Sequence, residues 1–388
     1  MRLLYYSPAS YGGIADYAHE QANALVELGI DVTLICDSKY PLNRGEKYKP
    51  IPILRDYDSQ KYFSCKYLRA ANYTKICLSN FRKIVKFIDK NKFHYVLFGS
   101  YSEYLAPIWS AHFRQLSGRG VTFGAVLHDP FREYIFGPHW WHRWSIASGY
   151  SFLKLVFIHQ SVLPHNIGFP MSNLTTCVIP HGPYDFGKAT LSKEAIREQF
   201  TLPINAKVLL SFGHIRDNKN LDLVLQAMVY LPDVHLIVAG KEQLSSQRPV
   251  NFYRTLAIDL GVADRCRWQH ELVPSSEVPN LFRACDVLVL TYSKSFHSAS
   301  GVLNAAVNYR KICVASSGEG PLKSVVDRYN LGVWVEPDSS SAIIRGIKEI
   351  FLSPPTPQWD KYLEDNSWAK NAQCVISSFQ GNFYRATL

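Results

Sequence analysis

Short apolar runs alternate with helical patterns along almost the whole sequence, and this alternation limits the fold more than any other feature. It is the pattern of βα units, whose strands are buried on both faces of a parallel sheet and so read as near-continuous stretches of Val, Ile and Leu. In the first half, strands are expected over Leu3–Ser7, Asp31–Asp37, Tyr95–Ser100, Thr122–His128, Lys154–His159 and Thr176–Pro180. Helices are expected over Ile14–Leu28, Asn80–Asn91 and Glu103–Leu116. A polar stretch, His181–Ser192, holds Gly182, Pro183 and Gly187 and reads as a linker. The pattern then restarts, with strands over Val208–Phe212, His235–Ala239, Cys266–His270, Val287–Thr291, Ile312–Ser316 and Gly332–Val335. The helices between them are Leu221–Tyr230, Asn251–Leu260, Ser276–Ala284, Gly301–Tyr309 and Ser340–Phe351, and an aromatic helical tail, Trp359–Tyr384, follows a proline cluster.

At 388 residues the chain accommodates two such sheets. The expected fold class is α/β, with two doubly wound parallel-sheet (Rossmann-like) domains facing across a cleft. Their expected bounds are 1–185 and 186–364, with the tail 365–388 able to pack back on the first. With 47% hydrophobic and 19% charged residues there is ample material for two cores, so disordered, collagen-like and coiled-coil chains are ruled out. No run approaches the roughly 18 apolar residues of a membrane span, and the start of the chain enters an apolar strand and a glycine loop at once, which reads as neither signal peptide nor span. Eight cysteines lie scattered without a CxxC pair, as in a cytoplasmic protein with reduced thiols.

Charge is unevenly spread. Of the net +10, residues 1–190 carry +8 and the remainder +2. Between Lys39 and Lys92 stand 14 basic and 4 acidic residues, interleaved with tyrosines. Such a stretch either attracts polyanions or forms a solvated face with snorkelling aromatics.

Open parallel sheets bind ligands beyond the carboxyl ends of their strands, so the loops there are the candidates for chemistry. Ser10–Ala18 (SYGGIADYA) follows the first strand and opens a helix, and its Gly12 and Gly13 let backbone amides approach a ligand. A plain tight turn would look the same. It is not GxGxxG, which argues against a nicotinamide cofactor. Phe212–Asn220 (FGHIRDNKN) places Arg216 and Lys219 at a helix start, where cations oppose the helix dipole unless an anion is bound, though a solvated basic turn would carry the same pair. Ser293–Lys311 runs through Ser298, Ala299, Ser300 and Gly301 into another helix, a second amide nest or an ordinary Ser N-cap. Val126–Pro130 sets His128 beside Asp129 at a strand end, able to bond a sugar hydroxyl or to serve only the fold.

The order and spacing of these segments resemble the retaining, nucleotide-sugar-dependent glycosyltransferases of family 4, which have the two-domain GT-B fold. GGIADYAHEQANALVELGIDVTLI is similar to the family's opening element, VIPHGPYD to its domain junction, and FGHIRDNKNLDLVLQAM with LIVAG to its phosphate-binding unit. ACDVLVLTYS and SGVLNAAVNYRKICVASS match its donor-site helix and following strand. The resemblance implies a first domain on the acceptor side and a second that holds the nucleotide sugar. It implies that Gly12 and Gly13 lie near the donor and His128 near the transferred sugar. Arg216 and Lys219 would stabilise the leaving diphosphate, and Ser298–Gly301 would hold donor sugar and phosphates. No metal is then needed, no His/Asp/Glu set has metal-ligand spacing, and no cofactor is expected. One departure stands against this. The family carries two glutamates eight apart, and alignment from Val314–Ser316 puts His297 and Ala305 in their places. Asn304 could then reach the ribose, and the amides of Ala299–Gly301 the sugar.

After His128, Arg132, Trp140, Trp141 and Trp144 stand among His139, His142 and Arg143. Trp with Arg and His suits a membrane interface or a sugar-stacking pocket, as well as simple packing. The expected partners are a nucleotide-sugar donor, a glycan or lipid-linked glycan acceptor and an anionic membrane surface, for a cytoplasmic protein able to lie on the inner face of the membrane. The rival expectation is a catalytically weak or inactive GT-B protein that binds nucleotide sugar or serves a partner subunit. A sugar-nucleotide epimerase would need an acid/base pair that this loop lacks, and no nucleic-acid-binding module is present.

Overall fold

A computed structural model describes residues 1–45, 47–57, 65–100, 103, 105–128, 137–159, 174–242 and 247–382. Arg132 and Asp129 lie outside the described residues, as does part of the basic Lys39–Lys92 stretch. The chain divides into two compact units, Met1–Gly182 with Asn366–Leu388, and Pro183–Asp365.

The first unit runs β1 (Arg2–Tyr6), α1 (Gly13–Glu27), β2 (Asp31–Asp37), β3 (Lys49–Leu54), α2 (Lys66–Asn91), β4 (Tyr95–Phe98), α3 (Ala106–Gly118), β5 (Thr122–Leu127), α4 (His139–Tyr150), β6 (Leu155–Ile158) and β7 (Thr175–Val178). Its sheet has the order β3-β2-β1-β4-β5-β6-β7, and each pairing is parallel. The second unit runs α5 (Lys193–Gln199), β8 (Lys207–Phe212), α6 (Leu221–Met228), β9 (Val234–Ala239), α7 (Val250–Asp259), β10 (Cys266–Gln269), α8 (Val278–Ala284), β11 (Val287–Thr291), α9 (Gly301–Ala306), β12 (Cys313–Ser316), α10 (Pro321–Tyr329), β13 (Gly332–Trp334), α11 (Ser340–Leu352) and α12 (Trp359–Asp365). Its order is β10-β9-β8-β11-β12-β13, again parallel. α13 (Trp368–Phe379) belongs to the first unit, where it lies on α1.

In both sheets the chain starts in the middle and reverses direction there, β1 lying between β2 and β4 and β8 between β9 and β11. Neighbouring crossovers leave such a switch point on opposite faces, which opens a crevice beyond the strand ends where a ligand fits. The Gly12–Gly13 loop follows β1 and the Arg216–Lys219 loop follows β8, so each sits at its own sheet's switch point.

The cores differ in chemistry. That of the first unit is aromatic, with Phe81 stacked on Trp109 at 3.9 Å and Phe113 on Phe152 at 5.0 Å. That of the second is mainly aliphatic, built on Leu209, Leu236, Val238, Val289, Val314 and Ile347.

Several elements depart from expectation. β3 is an edge strand containing Pro50 and Pro52, tolerated because one side of an edge strand has no partner to bond. Residues 139–150, for which no element is expected, form α4, whose aromatic first turns hide any single apolar stripe. α2 begins at Lys66 rather than near Asn80, and α5 and α10, both short, have no counterpart in the expected set. α9 ends at Ala306 and tightens into a 3-10 turn, Val307–Tyr309. Among the described residues, no helix is long and apolar enough to cross a membrane.

Candidate functional site

In the second unit, β8 ends at Phe212 and the chain turns through Gly213 at φ +84, a left-handed conformation that glycine adopts without penalty. A side chain there would meet Val302 Cγ2 at 3.3 Å and Lys219 Nζ at 3.4 Å. Gly213, Lys219 and the first turn of α9 therefore converge. Arg216 precedes a 3-10 turn, Asp217–Lys219, and Asn220 closes it in the left-handed region at φ 52. Lys219 Nζ donates to the Phe212 carbonyl at 2.6 Å, which points the ammonium back over the end of β8. Thr291 Oγ1 donates to the Lys219 carbonyl at 3.0 Å, and the Ser293 amide to the Asn218 carbonyl at 2.8 Å, so the end of β11 holds the turn from its other side.

This site is positive and short of counter-charge. Burial, and secondarily the Arg216 guanidinium, push the Lys219 ammonium down to about 7. The Nε of Arg216 is buried with no hydrogen-bond partner among the described residues. The nearby Asp217 does not neutralise either cation. Its Oδ1 accepts from Arg248 Nε at 3.0 Å and Tyr253 Oη at 3.0 Å, bonds that hold its carboxyl below the usual range although burial pushes it up. Two cations without a carboxylate partner among the described residues, at a switch point, suit an anion.

The other predicted donor residues flank it. Ser300 caps α9, its Oγ accepting the Leu303 amide at 3.3 Å, and bonds the Tyr292 hydroxyl at 3.1 Å. Ser298, Ala299 and Gly301 are half-buried in the same segment. His297 Nδ1 donates to the Glu319 carbonyl at 2.8 Å. Asn304 and Ala305 are both buried. The Asn304 Nδ2 donates to the Ser300 carbonyl at 3.2 Å and its Oδ1 accepts from the Tyr362 hydroxyl, so the side chain pins α9 to α12.

In the first unit, Gly12 (φ +78) caps α1 with open space beside its Cα, and the exposed Gly13 begins the helix. One turn on, the buried Tyr17 ring meets four others edge-on: His128 at 4.6 Å, His159 at 5.5 Å, His181 at 5.0 Å and Trp368 at 4.9 Å. The histidines follow the ends of the adjacent strands β5, β6 and β7. Each is fixed by a backbone carbonyl: His128 Nε2 on Gly99 at 3.0 Å, His159 Nδ1 on Ile179 at 3.2 Å and His181 Nδ1 on Gly182 at 2.8 Å. A carbonyl only accepts, so each bonded nitrogen carries the proton. Burial pushes His181 down to about 3 and His159 well below its ordinary value. Asn371 of α13 donates to the Tyr17 hydroxyl at 3.0 Å and to the Pro180 carbonyl at 2.7 Å, tying the hub together. Of these residues sequence reading singled out only His128. The available signal was a histidine closing each of two successive apolar runs, at His128 and His159, and a third in VIPHG at His181.

On α4, Trp140 is 64% and Trp144 52% exposed, whereas Trp141 packs on the core. The three indoles contact in sequence, at 5.8 and 5.5 Å. Among the described residues, no group of three or more His, Cys, Asp or Glu is placed to hold a metal ion.

Two family models match the chain, "Glycosyltransferase Family 4" over residues 11–157 and "Glycosyl transferases group 1" over 192–373. The D-inositol 3-phosphate glycosyltransferase of Mycolicibacterium smegmatis is 33% identical over 199 residues, 48% of this chain and 43% of that protein. The match thus spans less than half of that relative's length. Among solved structures, a glycosyltransferase from Rickettsia africae superposes with a TM-score of 0.68 at 16% identity, covering 99% of both chains. Anabaena HepE in complex with UDP and glucose superposes with a TM-score of 0.67 at 17% identity, covering 97% of this chain and 95% of that one. WaaG, a glycosyltransferase involved in lipopolysaccharide biosynthesis, gives 0.65 at 14% identity, over 98% of this chain and 100% of its own.

Proposed function

The chain belongs to the family 4 glycosyltransferases and has their GT-B fold, and on that premise we propose that it moves a sugar from a nucleotide donor held by the second unit to a hydroxyl of a glycan or lipid-linked glycan, with retention of configuration. The observation that carries the reading is the pair Arg216 and Lys219, set at a switch point with no carboxylate to neutralise them among the described residues. Breaking the bond between the anomeric carbon and the diphosphate oxygen leaves its electron pair, and a negative charge, on that oxygen. Cations already in place lower the barrier because they need no reorganisation as the charge appears. The acceptor oxygen bonds the anomeric carbon on the same face, and its proton passes to the departing phosphate oxygen. A dedicated protein base is then unnecessary. In the first unit, His128 would bond the transferred sugar and the Gly12 and Gly13 amides the donor. The Mycolicibacterium relative is named for D-inositol 3-phosphate; here the exposed Trp140 and Trp144, with Arg143 on the same helix, favour an acceptor presented at an anionic lipid surface.

A second reading, a donor binder or partner subunit with little turnover, is favoured by His297 and Ala305, which stand where the family resemblance expects glutamates. Incubation with a panel of radiolabelled nucleotide sugars, with and without a membrane extract of lipid-linked glycans, separates the two. Transfer of label to an acceptor, with slow donor hydrolysis in its absence, is the expected outcome. Nucleotide-sugar binding without transfer or hydrolysis would leave the second reading.

A further inference from the structure

We infer that Asp338 is a positioning residue, clamping the turn that carries Arg216 and Lys219 to the loop that leads into α9 and so setting how tightly this site grips a nucleoside diphosphate. The inference deepens the donor reading proposed above and rests on it. Asp338 lies between β13 and α11 with φ +59, a backbone conformation that non-glycine residues rarely hold. Strain of this kind persists where surrounding bonds over-determine it. Both of its carboxylate oxygens are used. Oδ1 accepts from Asn220 Nδ2 at 2.8 Å, and Oδ2 accepts from the Lys294 amide at 2.9 Å.

The two donors come from different parts of the chain. Asn220 directly follows Lys219 and is itself left-handed at φ 52, so its conformation decides where the 3-10 turn ends and α6 begins. Lys294 follows β11 at the start of the segment that reaches Ser298–Gly301. One carboxylate from a third segment therefore fixes the spacing of the cationic turn against this loop. The Thr291 and Ser293 bonds described above join the same two segments directly, and Asp338 completes the frame. It does so without neutralising the cations, since among the described residues it makes no ion pair with Arg216 or Lys219. Like charges held side by side repel, and a frame is needed to keep both aimed at one anion when the site is empty.

The test uses isothermal titration of the full chain with UDP, ADP and GDP, alongside thermal melting. Asp338→Gly removes both bonds and relieves the left-handed backbone, so the melting point should stay within about 2 °C, while affinity for whichever diphosphate binds best falls about tenfold. Asp338→Asn keeps one acceptor oxygen and should lose about threefold. Asn220→Gly removes the partner at another left-handed position, and the Asn220→Gly/Asp338→Gly double variant should bind no more weakly than the worse single. Diphosphate affinity of Asp338→Gly within twofold of the unaltered protein, or additive losses in the double variant, would overturn the clamp. A melting point lowered by more than about 5 °C in step with the affinity would reduce Asp338 to a structural residue, which also overturns it. Arg216→Ala reports on the donor reading separately: if the unaltered protein binds a diphosphate and Arg216→Ala binds it equally well, that reading fails, and the clamp fails with it.

Discussion

The two units place their most conspicuous side chains at the same topological position, beyond the carboxyl ends of parallel strands, yet they fill it with opposite chemistry. In the second unit the rim carries Arg216 and Lys219, cations whose neighbour Asp217 is taken up by Arg248, one of them held down to about 7. In the first unit the rim carries His128, His159 and His181 edge-on against Tyr17 and fixed by carbonyls, with burial pushing His159 and His181 toward the neutral form. A sheet's switch point supplies a crevice but not a charge, and under the proposed function the charge separates what each rim would hold. Departing diphosphate is an anion and needs the first kind of rim. A sugar ring or acceptor hydroxyl is neutral, and a rim of aromatic edges and neutral imidazoles suits it without the desolvation penalty of buried ions.

The largest effect should come from removing the charge difference itself. The double variant Arg216→Ala/Lys219→Ala should lose transfer by about a thousandfold or more, since each contact to developing negative charge is worth roughly 10²–10³ in rate. Its melting point should hold or rise, because two mutually repelling cations are gone. Turnover surviving at more than a tenth of the original would mean that the second rim is not the donor site.

Next in size is Tyr17→Ala in the first unit, which leaves four rings without their common partner. Loss of a large buried aromatic destabilises by about 3–5 kcal/mol, read by urea denaturation. Affinity for UDP should be unaffected. A matching fall in UDP binding by folded protein would show that the contrast between the rims is not a division of labour.

These expectations differ in how visible they were beforehand. Strands were legible because parallel strands buried on both faces leave unbroken apolar runs, as in VLVLT of β11. β3 was not, since KPIPIL carries two prolines that only an edge position tolerates. Nor was α4, where HWWHRW offers aromatic residues on every side rather than a stripe. Arg216 and Lys219 could be picked out because both cations lie within one loop of nine residues, Phe212–Asn220. The Tyr17 hub could not, because His159, His181 and Trp368 reach it from distant strand ends and from the C-terminal helix. Asp338 is a similar case, since only the fold brings it to Asn220.

The two rims should also answer pH in opposite directions. A diphosphate binds the charged form of Lys219, and that form is already being lost near pH 7 in the empty site. Calorimetric affinity for UDP should therefore fall by up to about tenfold per pH unit above 7, and binding at pH 8 should take up a proton, seen as a heat that varies with buffer ionisation enthalpy. In the first unit the sign is reversed. His159 and His181 have folded values below the roughly 6.5 of an unfolded chain, so between those values the unfolded state binds more protons. Stability is then complete above about pH 6.5 and is lost as the pH falls from there toward the folded value of His181, about 3. His181→Asn should flatten the acid side of the melting-point profile and leave the UDP profile unchanged. A single variant that moved both profiles would join what the structure keeps chemically apart.

The smallest effect on the protein itself should come from α4. Trp140 and Trp144 are more than half exposed, so replacing both with Ala should change stability by no more than about 0.5 kcal/mol each. Their value would lie elsewhere. An indole at the lipid–water boundary buries its ring and keeps its N–H wet, while Arg143 and the exposed cations of α2, such as Arg82 and Lys86, each add up to about 1 kcal/mol of attraction near an anionic surface. Flotation with vesicles containing phosphatidylglycerol should carry the unaltered protein upward at low salt, less so at 0.5 M salt, where attraction is screened within a few ångströms, and the double Trp variant should float poorly at both. Equal flotation of the variant would assign these rings to something other than lipid. Absence of flotation in the unaltered protein would remove the membrane from the first unit's role and leave its neutral rim to a soluble acceptor.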